Sequence, residues 1–125
     1  MRLAVALAVL GLAAGCGSDG GGDIDQARDA VSDYFTAIAD GDGARACGRM
    51  TEQAQTQFAD EGGTASCEEA VERLGEQLDD EDLAPLRDPQ VDVTLNRDKA
   101  SASVKDGPSD ITVVKVDGEW RIDAD

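Results

Sequence analysis

Two hydrophobic rhythms divide this chain, and the point where one gives way to the other leaves few architectures open. From Ile24 the apolar residues recur at spacings of three and four (Ile24, Ala27, Val31, Phe35, Ile38), which gathers them on one side of a helix. Beyond Pro89 the repeat shortens to two. Val91, Val93 and Leu95 alternate with Asp92, Thr94 and Asn96, and Ala100, Ala102 and Val104 alternate with Ser101, Ser103 and Lys105. Helices followed by half-apolar strands imply an α+β domain, because a sheet with one apolar face needs helices laid across it.

The helical half divides at its glycines. Asp23 or Asp25 is expected to cap the first helix, and Gly41-Asp42-Gly43 to end it. A second helical stretch carries Ala44, Cys47 and Met50, with a restart at Thr51 and an end near Phe58, followed by a loop at Glu61-Gly62-Gly63-Thr64. Ser66-Cys67-Glu68-Glu69 is a capping box, in which the Ser66 hydroxyl and the Glu69 carboxylate each accept from the other's backbone N–H. It opens a third helix through Ala70, Val71, Leu74 and Leu78. The run Asp79 to Asp82, with Pro85 and Pro89, is read as a solvated acidic connector.

The strand half admits a register test on paper. Closing a turn at Arg97-Asp98 pairs Leu95 with Ala100, Val93 with Ala102 and Val91 with Val104. Closing another at Asp117-Gly118, a strong hairpin dipeptide, pairs Val113 with Ile122 and lays the Lys115 stem across Trp120. A four-residue loop over 106–109 sets Val104 opposite Ile111. The expectation is three N-terminal helices on a four-stranded antiparallel meander, with Val114 and Val116 as apolar exceptions on the outer face.

Charge narrows the partners. Eleven Lys and Arg stand against 27 Asp and Glu, with no His, for a formal net charge of −16. Nucleic acid is excluded as a natural partner, since no cationic groove can be built from so few bases among so many acids. Zinc held by His and general acid/base work by His are excluded with it. Asp40-Gly41-Asp42-Gly43 opens like a calcium loop, but Thr51 stands where the twelfth-position Glu belongs, so no metal site is expected. No cofactor motif is present either.

The first residues carry an address. Arg2 precedes an unbroken small and apolar run from Leu3 to Ala14, long enough for an export signal and too short to span a bilayer as a helix. The run ends in Ala13-Ala14-Gly15-Cys16, which resembles the lipobox of bacterial lipoproteins, with Ala13 where larger aliphatics are usual. That resemblance implies a signal peptide over 1–15, a diacylglyceryl group on Cys16 as membrane anchor, and a glycine-rich linker over 16–22 behaving as flexible coil. The domain would occupy 23–125. It would stand outside the cytoplasmic membrane on its outer leaflet, or at the outer membrane in a cell that has one.

A helical start with Tyr34-Phe35, a Gly41-Asp42 turn, two further helices and a terminal meander ending in Asp117-Gly118-Glu119-Trp120 resembles the NTF2-like, or cystatin-like, α+β superfamily in a reduced form. Small actinobacterial lipoproteins of that type carry one Cys in the second helix and one at the start of the third, here Cys47 and Cys67. With Cys16 acylated those two remain in an oxidising compartment and are expected to pair. A redox-active or metal-binding pair is the alternative, without Cys-x-x-Cys spacing or a His co-ligand to support it.

The function expected is a non-enzymatic binding or interaction module for a small apolar ligand or an envelope protein. The alternative is an isomerase or dehydratase of the ketosteroid-isomerase-like type working in a pocket between helices and sheet. For that reading the resemblance places Tyr34 as oxyanion donor, but no acidic partner is recognisable on a strand, so no catalytic residue is assigned. Tyr34 and Trp120 are the pocket candidates, Tyr34 with its hydroxyl in water. A third reading is a dimer surface around Val114 and Val116, giving a homodimer.

Overall fold

The computed structural model describes residues 19–124, so the export segment and Cys16 lie outside the described residues. The described chain is α+β, with five helices preceding four strands. Helix α1 spans Asp19–Asp40, α2 Gly43–Gly48, α3 Glu52–Gly62, α4 Cys67–Gln77 and α5 Asp80–Arg87. Strands β1 Val91–Asn96, β2 Lys99–Val104, β3 Ile111–Val116 and β4 Glu119–Ile122 follow. None of these helices is long and apolar enough to cross a membrane.

Helix count is the first departure from the sequence reading, which expected three. The second helical stretch is two helices, parted by Arg49 to Thr51, with the Thr51 hydroxyl capping α3 by accepting from Ala54 N. The supposed loop at Glu61-Gly62 is the last turn of α3, and Gly63 closes it at φ +65°, the left-handed conformation that glycine adopts without steric cost. The acidic connector is no connector. Asp79 caps α5 through Asp82 N, and Asp80, Glu81 and Asp82 fill its first turn, where negative charge complements the helix dipole. Pro85 sits inside α5 and forgoes one main-chain hydrogen bond, a loss a short helix docked by Leu83 and Leu86 withstands.

Helix α1 also begins earlier than its expected caps, within the glycine-rich stretch. Asp23 and Asp25 lie inside it and are spent otherwise: Asp25 pairs with Arg28 at 3.0 Å, and Asp23 accepts from Lys115 Nζ on β3, also at 3.0 Å. A tertiary ion pair thus holds a turn that local propensity alone disfavours.

The sheet is an antiparallel meander in the order β1-β2-β3-β4. Its first hairpin pairs Val91 with Val104, Val93 with Ala102 and Leu95 with Ala100, and its last pairs Val113 with Ile122 and Lys115 with Trp120, as the alternation predicts. The tight turn at Asp117-Gly118 carries positive φ at both residues (53° and 84°). The middle hairpin is shifted by two residues, pairing Ala100 with Val113 and Ala102 with Ile111. Its connection is longer than four residues because Val104 N donates to Pro108 O and Gly107 N to Val104 O, folding the loop back before β3 starts. A slip of two keeps every side chain on its face, whereas a slip of one inverts them.

The molecule has three layers. Helix α1 lies on the inner sheet face, chiefly against β1 and β4, and the shorter helices cover its other side. Small side chains permit this close stacking: Ala27, Ala30, Ala37, Ala46, Ala100 and Ala102 are all buried beside Val31, Val71 and Val113. The β4 edge is sealed by the strip between α2 and α3, since Ile122 N donates to Arg49 O and Thr51 N to Ile122 O.

Two ties fix α2. Cys47 and Cys67 form a disulfide that joins it to α4. Asp33 on α1 accepts from Arg45 Nε and Arg49 Nε, each at 2.8 Å, and from Arg45 Nη2. The Arg45 hydrogen bond, aided by Arg49 and opposed by partial burial, holds the Asp33 carboxyl below its ordinary range.

Candidate functional site

A cavity of about 930 Å³ lies between α1, α3, α4 and α5 on one side and the loop 106–110 with the ends of β3 and β4 on the other. Helix α1 packs chiefly against β1 and β4, and the cavity opens where the shorter helices face the β2–β3 connection. The floor is apolar: Phe35 and Ile38 from α1, Met50 from the strip before α3, Ala54 from α3, Leu74 from α4, Leu78 just beyond its end, and Ile122 from β4. Such a volume and lining suit one small organic ligand.

Tyr34 lines this cavity, and the sequence reading misplaced its side chain. It is 7% exposed, packed edge-on against Phe35 with ring centroids 4.8 Å apart. The helical spacing put Phe35 on the buried stripe and left Tyr34 beside it. Its burial comes from the elements packed on α1, which the periodicity of α1 alone does not reveal. Desolvation first, and the nearby Glu61 carboxylate second, push its hydroxyl above the ordinary tyrosine range, so it stays neutral and can both donate and accept. Among the described residues that hydroxyl makes no hydrogen bond to protein. Neither is it sealed, for the one wholly enclosed and unpartnered side-chain polar atom among them is Trp120 Nε1.

Trp120 belongs elsewhere. It is 3% exposed in the core, with Lys115 Nζ 5.9 Å from its ring centre, and it is not among the residues lining the cavity. The alternation that placed Trp120 on the inner face was read correctly; its distance along the sheet from the cavity was not legible from period alone. Lys115 therefore serves as a lid on the indole and as partner to Asp23.

Polar lining residues stand at the mouth of the cavity. Gln57, Thr112 and Asp123 are half-buried; Glu61, Glu81, Asp82, Asp106, Ser109 and Asp110 are exposed. Thr51 Oγ1 donates to Asp123 Oδ1 at 2.9 Å, which fixes that carboxylate at the rim. Six carboxylates and no Lys or Arg border the opening, and none of the six is in an ion pair among the described residues. The sequence reading missed this ring. Its members come from α3, α5, one loop and the chain end, and no spacing in the sequence unites them.

Among the described residues no group of three or more carboxylates or thiols converges as a metal site. No protein-family profile, no curated protein and no solved structure matches this chain.

Proposed function

We propose that this chain is an exported lipoprotein, held by a lipid on Cys16 to the outer leaflet of the cytoplasmic membrane, whose folded part is a binding module of reduced NTF2-like form. The address comes from residues 1–16, where one cation, a short apolar run and Ala-Ala-Gly-Cys follow in the order that export and acylation require. The helical start through Tyr34-Phe35 and the closing meander support the family reading.

One observation carries the binding reading: a roomy cavity with an apolar floor, most of whose charged residues are exposed at its mouth. Catalysis requires polar groups desolvated around the reacting atom, because their electrostatic effect depends on excluding water. Tyr34 is a single such group. Binding a small apolar body needs no more than the floor and one orienting hydroxyl.

Two measurements test the reading separately. Wild type is expected in the membrane fraction after an alkaline wash, and Cys16→Ser in the soluble fraction; protein recovered from culture fluid with residue 16 unmodified overturns the anchoring. The neutral fluorescent probe N-phenyl-1-naphthylamine is expected to bind once per chain and to lose its site in Ala54→Leu, which fills the floor. Absence of a saturable site overturns the module.

A further inference from the structure

Resting on the binding reading above, we infer that the cavity selects cationic amphiphiles: molecules with an apolar body and a primary ammonium head seated between the Tyr34 hydroxyl and the carboxylates of the rim. Tyr34 supplies the inner contact. It is more than nine-tenths buried, it borders the cavity, and its oxygen has no protein partner among the described residues. That hydroxyl is not sealed off, so a ligand N–H in the cavity can reach it and donate to it.

The rim supplies the sign. Glu61, Glu81 and Asp82 on the helix side face Asp106, Asp110 and Asp123 on the other, all without a cationic partner among the described residues. Like charges gathered around an apolar mouth raise the local concentration of cations and repel anions. An ammonium placed there relieves that repulsion while its alkyl chain covers the floor. A carboxylate or sulfate head finds no base at all in the lining.

The test uses residues 16–125 with Cys16→Ser, which keeps every residue of the described fold and removes competing lipid. Decylammonium, decanol and decanoate are titrated below their aggregation limits by calorimetry. Tyr34 is the only tyrosine in the chain, so 13Cζ-tyrosine gives one NMR resonance that reports on the site. Decylammonium is expected to saturate at one per chain, about tenfold tighter than decanol, a difference of roughly 1.4 kcal/mol. It is expected to shift the Tyr34 signal, with decanoate weakest. The triple variant Glu61→Gln/Asp82→Asn/Asp110→Asn is expected to erase the preference, and Asp29→Asn/Glu72→Gln/Asp92→Asn, which removes the same charge outside the cavity, to keep it.

Equal binding of all three probes overturns the selectivity and leaves the cavity reading standing. Binding of none overturns both. A preference that survives the rim variant, or that falls as much in the distant one, shows attraction to overall negative charge and overturns the inference.

Discussion

Gly43 is where the packing tolerates least. A Cβ on this residue would lie 2.6 Å from Glu68 O and 2.8 Å from Glu68 Cα, both main-chain atoms of the first turn of α4. Reaching ordinary contact at 3.4 Å requires the starts of α2 and α4 to part by roughly 0.8 Å. Backbone cannot rotate away as a flexible side chain can, and the Cys47–Cys67 bridge holds the two helices together a turn further on. Overpacking of this kind costs about 1–3 kcal/mol, while alanine's better helix propensity returns at most about 1 kcal/mol, less in the first turn.

The net expectation for Gly43→Ala is therefore a loss of about 1–2 kcal/mol. At about 4–8 °C per kcal/mol for a domain of this size, Tm falls by roughly 5–15 °C. Equilibrium urea unfolding, followed by Trp120 fluorescence, measures the loss directly. The same substitution in Cys47→Ala/Cys67→Ala completes a double-mutant cycle. Freed from the bridge, the helices can separate, and the penalty is expected to shrink by about 0.5–1 kcal/mol. A penalty below about 0.5 kcal/mol, or one undiminished without the bridge, refutes the close-approach reasoning.

Removing the bridge alone, as Cys47→Ala/Cys67→Ala, is expected to cost about 3 kcal/mol, since the cross-link closes a loop with a sequence separation of 20; denaturation midpoints with and without reductant check it. Asp33→Asn breaks the link to Arg45 and Arg49 and is expected to cost about 0.5–1 kcal/mol at neutral pH, the partners being well exposed. Because the Asp33 carboxyl titrates lower folded than unfolded, its stabilisation is full above the unfolded value near 3.8 and is lost as pH falls through the folded one. The gap between wild type and Asp33→Asn is therefore expected to close in acid, as thermal melts across pH would show. Asp79→Ala removes the cap of α5 and is expected to cost about 1 kcal/mol, with faster amide exchange in α5 than elsewhere.

The strands were legible because their period is short and their faces differ. Val91, Val93 and Leu95 found their partners from alternation alone, and Asp117-Gly118 fixed the last turn chemically. The middle hairpin slipped by two because both registers bury the same residues, so hydrophobic pattern could not choose between them; the backbone bonds of Val104 and Gly107 did. Helix α5 was hidden by its own N-terminus. Asp79 to Asp82 read as solvated charge, although a capping Asp followed by acids is also how a helix begins. At the cavity Tyr34 was legible as a residue and its environment was not. Its neighbours in space, Glu61 and the floor from α3 and α4, arrive from elements whose mutual distance no periodicity encodes.

The strip from Arg49 to Thr51 has a consequence for how copies of this protein can meet. With Ile122 already bonded on both its main-chain groups, β4 has no ladder left to offer a neighbour at that point, while β1 ends the sheet on the opposite side. A copy adding to β4 would therefore have to displace the Arg49–Thr51 strip at Ile122 before it could extend the ladder there, and at the other border Val91 O already accepts from Arg28 Nε.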